Sequence, residues 1–478
     1  MTGATRSRAR SATVLSVAMI SVALSSVPGW GQSIEQTLVQ AYRNNPDLNA
    51  ARASVRVANE GVPAALSGYR PSVNATITAA GQYTESSVGA RSGTSNGIPF
   101  VSPGSQTSVR SMPRAATLSV TQPLFDGNRT TNSVRQADQN VLAARETLRN
   151  TEQTVLLASA TAHMNVLREQ AVLDLRRRNV EVLREQLRAT RDRFNVGEVT
   201  RTDVALAESA LQAAIATASG AESDLANARS VYMQQVGVPP GRLTPARTIE
   251  RLLPRSLDAA IIAGQSEHPS IRGARHGADA QLLQVRIAES ALYPTLGLSA
   301  SVTRAAEQSA NSGQSLSGSL GVTLTIPIFA NGGRDYATIR AAKETYGQRR
   351  IQIETAAASV RQAVTQSWAA LEASRAQIQA AEVQVRSQDI AVNGIREEYK
   401  VGQRTIIDVL NATQNLTEAR VALVRAQRDR VVLSYSVLSA MGRLSGSKLA
   451  LRTEIFDPTV HYNQVRDQWI GVRTPDGR

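Results

Sequence analysis

The chain has 478 residues, a net charge of +14, no cysteine and an aromatic content of only 4 %. Without cysteine it can form no disulfide, no thiolate metal site and no thiol nucleophile. So few aromatic residues argue against the core of a compact enzyme and are typical of long helices packed side by side through small residues.

The first 31 residues are predicted to be a cleaved secretory signal. Arg6, Arg8 and Arg10 precede a short apolar run over residues 12–24, and small residues follow that run. The run is too short to span a bilayer comfortably, which favours cleavage. No long apolar stretch follows, so any entry of the mature chain into a membrane is expected to use a closed β-barrel. Export also argues against a nucleic-acid partner, although the positive charge would fit one.

The rest of the chain contains an internal duplication. Asn45-Pro46 recurs as His268-Pro269, and further along the segment 196–204 recurs as 401–409. Each repeat is predicted to hold the same elements in the same order, namely a helix, two strands around a loop, and two long helices around a short turn.

The first repeat is longer because it contains a Gly/Ser/Pro-rich stretch, residues 86–111. This composition predicts a loop, and loops accept insertions at little cost in free energy. The predicted organisation is a signal over residues 1–31, a first repeat over 32–236, a linker over 237–254, a second repeat over 255–445 and an irregular tail over 446–478.

The four predicted strands alternate apolar with polar residues. Val73, Ala75 and Ile77, for example, interleave with Asn74 and Thr76. Each run has about nine to twelve residues, the length of a tilted membrane strand with one lipid face and one polar face, although half-buried strands of soluble proteins alternate in the same way. Because about eight strands are the fewest that close a membrane barrel, the chain is expected to share a barrel with copies of itself. Two copies would give eight strands, and three would give twelve.

The long helices are predicted over residues 128–195 and 332–400, which contain no proline. At about 1.5 Å per residue, each would be roughly 100 Å long. Apolar residues recur in them at heptad spacing, as at Val166, Leu173 and Val180. Such spacing keeps long helices in register, so two antiparallel helical hairpins per chain are expected.

With these features the sequence resembles the TolC family of outer-membrane factors, also called outer membrane efflux proteins. The resemblance covers nearly the whole mature chain, including the duplication, the prolines at the strand-to-helix corners and both Val-Gly-x-x-Thr-x-x-Asp-Val segments. It implies an α+β membrane protein: a homotrimer with a twelve-strand barrel in the outer membrane of a Gram-negative bacterium, continued by a tube of twelve helices in the periplasm.

The resemblance also implies a function and partners. The chain would be the exit duct of a tripartite efflux pump or a type I secretion system, in contact with outer-membrane lipid. It would bind a periplasmic adaptor protein and, through it, an inner-membrane transporter of the RND or ABC class. The duct would open at the periplasmic tips of the hairpins.

At the tips, the resemblance implies two sets of functional residues. The adaptor-contact set is Val196, Gly197, Thr200, Val401, Gly402 and Thr405. The gate and constriction set is Asp203, Tyr399, Arg404, Asp408 and Asn411. Within the gate, Tyr399 and Arg404 would bond to neighbouring hairpins, with Asp203 the partner of Tyr399.

Asp408 would line the narrowest point of the duct. Three copies of Asp408 around one axis would form a negative ring that favours cations. The family's namesake carries a second aspartate one turn further on, where this chain has Asn411. A weaker cation block is therefore expected here.

The tip residues also have a purely structural interpretation. Gly197 and Gly402 fit the left-handed end of a helix, and each Thr-x-x-Asp fits the capping box of the next helix. The sequence alone leaves both interpretations open for Thr200 and Thr405.

An enzyme is not expected. Residues 93–97 match the G-x-S-x-G pattern, but they lie in a predicted loop and not between a strand and a helix. His163 is expected on a helix surface, and the four histidines show no metal-ligand spacing, so no metal or other cofactor is expected. The alternative function is a periplasmic coiled-coil scaffold without a pore, which would not need the alternating strands.

Overall fold

The computed structural model describes residues 31–308 and 313–477. The predicted secretory signal therefore lies outside the described residues, apart from Gly31. The elements in chain order are α1 (Ile34–Asn44), α2 (Pro46–Leu66), β1 (Ser72–Ala79), β2 (Gln82–Val88), β3 (Arg91–Ser95), β4 (Ile98–Ser102), β5 (Ser105–Ser111), β6 (Arg114–Phe125), α3 (Arg129–Asn195), α4 (Arg201–Val236), α5 (Leu257–Glu267), α6 (Pro269–Glu289), β7 (Thr295–Ala306), β8 (Gln314–Thr325), α7 (Arg334–Lys400), α8 (Ile406–Ala440) and α9 (Pro458–Val465). Among the described helices, none combines the length with the apolarity that a bilayer crossing requires.

Each half of the molecule opens with two helices in place of the single helix predicted from the sequence. The break falls at Pro46 and at Pro269, because proline lacks the N–H that would continue a helix but is well suited to its first turn. The residue before each proline caps the new helix. Asn45 Oδ1 accepts from the N–H of Leu48 (3.1 Å), and His268 Nδ1 accepts from the N–H of Ser270 (3.1 Å).

The four long strands form one antiparallel sheet in the order β1-β6-β7-β8, as the predicted α+β fold requires. The register brings most apolar residues of the four strands onto one face, in rows such as Val73, Val120, Ala300 and Leu320, although Arg304 shares this face. Rows of Ser, Thr and Asn cover the opposite face. The apolar face is open, since Leu320 is 76 % exposed, and β1 and β8 are edge strands within the described sheet.

The prediction of a loop over residues 86–111 is wrong. This stretch forms a two-stranded ribbon in which β2 pairs with β5 and β3 pairs with β4. Its turn consists of Asn96 and Gly97, both with positive φ (53° and 80°), between the paired residues Ser95 and Ile98. An Asn-Gly pair readily adopts the left-handed backbone of a two-residue hairpin turn, and cross-strand pairing then satisfies the backbone polar groups.

Two long hairpins make up most of the chain, as predicted. Helices α3 and α7 have 67 residues each and are therefore about 100 Å long. Helix α3 packs against α4 and α7 against α8, and contacts between α3 and α8 place the hairpins side by side. The heptad positions are buried, as at Val180 and Leu187 of α3 and at Leu211 and Ala218 of α4.

The segment between the two halves contacts α3 through a buried polar network. The N–H of Thr244 donates to the carbonyl of Gln32 (3.0 Å), and the carbonyl of Thr244 lies 3.1 Å from His163 Nε2. The other ring nitrogen of His163 is 2.9 Å from Thr37 Oγ1. His163 is thus fully buried and not on the helix surface as predicted. Burial disfavours the imidazolium and lowers the pKa of His163.

The same segment contacts the second hairpin through Glu250. Its carboxylate lies 2.9 Å from Arg430 Nε on α8 and 2.8 Å from Arg375 Nη2 on α7. The hydrogen bonds from Arg430, with those from Arg375, lower the pKa of Glu250. The interrepeat segment is therefore attached to a helix of each hairpin.

The C-terminal tail contains a helix, although an irregular structure was expected throughout. Asp457 caps α9 and Pro458 begins it, a combination that favours a helical start. Helix α9 packs on α2, and the hydroxyl of Tyr462 donates to Asp138 Oδ1 on α3 (2.8 Å).

Candidate functional site: the hairpin tips

The two hairpins end in turns with the same backbone. We call residues 196–200 the first tip and residues 401–405 the second tip. Gly197 and Gly402 have φ of 80° and 79°, a conformation that favours glycine. In each tip the glycine N–H donates to the carbonyl three residues back, and the next N–H donates to the carbonyl five residues back, at 2.9 to 3.1 Å. This Schellman motif satisfies the carbonyls at the helix end.

Thr200 and Thr405 begin the returning helices. The N–H and hydroxyl of Thr200 both donate to Asp203 Oδ2 at 2.8 Å. The N–H and hydroxyl of Thr405 donate to Asp408 Oδ2 at 3.0 and 2.8 Å. Each aspartate N–H is capped in return by the threonine side chain. The structural interpretation of both threonines is confirmed, and their part in adaptor binding stays a prediction.

The adaptor-contact set lies on the surface of these turns. Val196 is 72 % exposed and Val401 is 71 % exposed, and a Cβ added to Gly197 or Gly402 would meet no other atom within 4 Å. The turns therefore offer two protruding valines beside two glycines without side chains. Such a surface can receive an apolar side chain from another helix.

Arg404 pairs within its own hairpin. Its Nε lies 2.7 Å from Glu398 Oε2, and both side chains are about half exposed. The hydrogen bond to Glu398 raises the pKa of Arg404. Bonds from the N–H and hydroxyl of Thr405, with the charge of Arg404, lower the pKa of Asp408. Asp408 is therefore a stable carboxylate at the second tip.

Tyr399 packs between the hairpins, but without the partner predicted for it. Its ring lies against the apolar side chains between the tips, including Leu187 and Ile406. Its hydroxyl is buried and has no hydrogen-bond partner among the described residues. The predicted bond to Asp203 is not formed within the chain, because the Asp203 carboxylate is bound in its own capping box.

Sequence reasoning missed Arg193, which contacts Tyr399. The guanidinium carbon of Arg193 lies 5.0 Å from the centroid of the Tyr399 ring, within the range of a cation–π interaction. Arg193 Nε also lies 3.8 Å from Glu198 Oε2 in the first tip. The sequence feature that could have revealed Arg193 is the internal repeat. Arg193 is equivalent to Glu398 of the second hairpin, so the two hairpins carry opposite charges at the same position near their tips.

Further from the tips, polar contacts join α3 to α8. Arg176 forms a two-pronged ion pair with Glu418 at 2.7 and 3.1 Å, and the hydroxyl of Thr417 donates to Asn179 Oδ1 at 3.2 Å. Asn411 is exposed and lines a groove between the hairpins. In the described part of the chain, no cluster of His, Asp and Glu side chains could hold a metal ion.

Comparison with known proteins agrees with this architecture. Residues 37–234 and 264–443 match the outer membrane efflux protein family. The chain is 39 % identical to the outer membrane efflux protein BepC of Brucella suis, over 94 % of this chain and 93 % of BepC. It is 28 % identical to the outer membrane protein TolC of Escherichia coli, over 89 % and 86 % of the two chains. It is 27 % identical to the alkaline protease secretion protein AprF of Pseudomonas aeruginosa, over 69 % and 68 %.

The fold is also similar to that of solved outer-membrane channels. The crystal structure of the Campylobacter jejuni CmeC outer membrane channel superimposes with a TM-score of 0.72 at 16 % identity, over 91 % of this chain and 89 % of CmeC. The duplicated hairpins and the four-stranded sheet are thus the fold of an outer-membrane channel. The chain belongs to the outer membrane efflux protein family, and it is an outer-membrane protein of a Gram-negative bacterium with a periplasmic extension, not an enzyme.

Proposed function

We propose that the chain is the outer-membrane exit duct of an efflux or secretion system, assembled as a homotrimer. The sheets of three copies close one twelve-strand barrel, and their hairpins form a tube of twelve helices in the periplasm. A periplasmic adaptor protein contacts the tips, and an inner-membrane transporter of the RND or ABC class supplies the cargo.

The observation that carries this proposal is the four-stranded sheet. One face is apolar and exposed, the other carries hydroxyl and amide groups, and both edge strands lack partners within the described sheet. An unpaired edge in a membrane leaves backbone groups without hydrogen bonds, at a cost of several kcal/mol per group. Pairing β8 of one copy with β1 of the next removes both edges and hides the polar face inside a pore.

The resting gate is proposed to be the contact between the tips. Within a chain this contact consists of the Tyr399 ring, the Arg193 guanidinium and the apolar side chains beneath them. Exposed polar contacts of this kind contribute little individually, on the order of 1 kcal/mol or less. An adaptor that binds the separated tips more tightly than the closed ones therefore shifts the duct towards its open state.

Efflux of small molecules is the preferred cargo class. The efflux protein BepC is the relative that combines the higher identity with coverage of nearly the whole chain. Protein secretion is the second candidate, because AprF bears the name of an alkaline protease secretion protein. The two cargo classes use the same exit duct and differ in the transporter attached to it.

The pore is tested by purification in detergent followed by planar-bilayer recording. We expect a trimer by crosslinking and a discrete conductance that is small at rest. A monomer that forms no pore would overturn the duct and favour the periplasmic scaffold.

The cargo is tested by crosslinking in cells and identification of the proteins that co-purify. An adaptor with a proton-driven RND pump would establish efflux, whereas an adaptor with an ABC transporter and a large secreted substrate would establish secretion. As a control, Val196→Asp with Val401→Asp should lose the adaptor while the trimer remains intact.

A further inference from the structure

The last described part of the chain forms a loop that ascends along α2 and returns. We call residues 466–476, which follow α9, the tail loop. Val465 at the end of α9 is fully buried, and near the other end Asp476 Oδ2 lies 3.7 Å from Arg56 Nε on α2. Both ends of the tail loop are therefore attached to the helical body, and its middle is not a frayed terminus.

The middle of the tail loop is attached to the membrane end of the chain. Arg70, which lies two residues before β1, donates from Nη1 to the carbonyl of Gln468 (2.9 Å). The guanidinium carbon of Arg70 is 4.6 Å from the centroid of the Trp469 ring. The apolar face of the sheet begins at Val73, and at about 3.3 Å per residue Arg70 lies roughly 10 Å from it. The tail loop thus reaches the level at which the sheet begins.

The side chains at this apex are apolar and uncovered. Trp469 is 66 % exposed, Ile470 is 92 % exposed and Val472 is fully exposed. Tyr69 and Tyr293, at equivalent corners of the two repeats, are also about half exposed. Tryptophan and tyrosine are enriched where a protein crosses the boundary between hydrocarbon and water, and a neighbouring arginine can reach the lipid phosphates from there.

We propose that the apex of the tail loop, Trp469 with Ile470 and Val472, is a membrane anchor inserted in the headgroup region of the periplasmic leaflet of the outer membrane. The inference rests on the proposed function in one respect, namely that the sheet is the membrane-spanning part. Its ligand is phospholipid. Through Arg70 and Arg56, this anchor would hold α2 close to the membrane surface.

Tryptophan fluorescence in lipid vesicles tests this proposal. The chain has three tryptophans, Trp30, Trp368 and Trp469. Trp30 lies in the predicted signal and is absent after cleavage, so Trp368→Phe leaves Trp469 as the only emitter of the mature chain, and Trp469→Phe leaves Trp368. Trp368 is the matched control, because it lies 34 residues into α7, about 50 Å from the sheet.

Each variant is reconstituted into vesicles whose phospholipids carry bromine near the headgroup end of the acyl chains, and conductance is recorded on the same preparation. We expect bromine to diminish the emission of Trp469 and to leave that of Trp368 unchanged. Ile470→Asp with Val472→Asp, introduced into the Trp469 reporter, should abolish the quenching.

Unquenched Trp469 overturns the anchor, whether or not the protein conducts. Trp469 that is unquenched and also shielded from a water-soluble quencher would show that protein covers the apex. Quenching that survives the two aspartate substitutions would overturn the role of Ile470 and Val472. An unsubstituted chain that shows no conductance is the separate result that would overturn the proposed duct.

Discussion

The two hairpin tips share a backbone but not a set of side chains. Both have a Schellman glycine, a threonine cap and an aspartate in the capping box, with nearly equal angles and distances. The residues around this frame differ. Where the first hairpin has Arg193 and Phe194, the second has Glu398 and Tyr399, and where the first tip has Val199 the second has Arg404.

Residues that shape the two tips differ from residues that join the hairpins. Because both tips form the Val-Gly-x-x-Thr-x-x-Asp frame equally well, the frame is explained by helix capping and needs no gate. The contact between the hairpins uses residues outside the frame, with the arginine of one hairpin against the tyrosine of the other. We therefore expect substitutions in the frame to cost equal stability in the two tips, and substitutions outside it to have unequal effects on the gate.

The largest effect is expected from Tyr399→Leu. Tyr399→Leu removes the cation–π contact, worth about 0.7 kcal/mol in each chain, together with part of the apolar packing of the ring, so concerted opening of three chains would raise the open population by at least about 30-fold. Planar-bilayer conductance at rest and vancomycin entry into cells measure this change.

Tyr399→Phe is the matched control, since the tyrosine hydroxyl has no partner within the described chain. It should leave resting conductance nearly unchanged, alone or with Arg404→Ser. A Phe variant as leaky as the Leu variant would mean that the hydroxyl bonds to a hairpin of another copy in the assembled duct.

The next effect is expected from Gly197→Ala and Gly402→Ala. Each forces a side chain into a positive φ and should lower the free energy of unfolding by about 1 kcal/mol. The loss should be the same in both variants, because the surroundings of both glycines are equally open. Thermal or denaturant unfolding measures this loss, and a clearly larger loss at one tip would show that the two glycines are not equivalent.

A smaller effect is expected from Arg193→Gln. It should raise resting conductance less than Tyr399→Leu does, because the ring keeps its apolar contacts. In a double-mutant cycle with Tyr399→Leu, the coupling should be about 0.5–1 kcal/mol per chain. Arg191→Gln, on the same helix, is a suitable control. Additive effects of the Arg193 and Tyr399 substitutions would show that Arg193 takes no part in the gate.

The smallest effect is expected from mild acid. Bonds from Thr405 lower the pKa of Asp408 in the folded chain. The Asp408 carboxylate is therefore fully charged above the ordinary aspartate pKa of about 3.9, and its negative charge is lost only as the pH falls through the lower folded pKa. Cation selectivity of the resting pore should thus be the same at about pH 7 and pH 5. Asp408→Ala should abolish the selectivity at both, whereas selectivity that declines between them would place the charge elsewhere.

Much of the fold could be predicted from the sequence because its signals are periodic and long. The heptad spacing of Val166, Leu173 and Val180 is sustained over many turns, so it predicts a long helix whatever the helix propensity of single residues. The structure confirms that these three residues are buried. The ribbon was missed because its composition is typical of loops, although Asn96-Gly97 is a strong hairpin signal. His163 was misplaced because a single polar residue does not reveal which helix face is covered.

The site was predictable only as far as its backbone. The capping residues bond to neighbours in sequence, so the roles of Thr200 and Asp203 can be predicted from their spacing alone. The contact between Arg193 and Tyr399 joins residues that lie on different hairpins, and no local pattern specifies such a pair. The exact bounds of the two repeats, residues 32–236 and 255–445, stay a prediction.

The attachment of the interrepeat segment to both hairpins has a mechanical consequence. Below Arg375, helix α7 continues for about 40 Å to its tip, and below His163, helix α3 continues for about 50 Å. If α7 tilted by about 10° around its attachment at Arg375, its tip would move by roughly 7 Å. A rotation too small to disturb the contacts of His163 and Glu250 would thus open a gap of several ångströms at the tips.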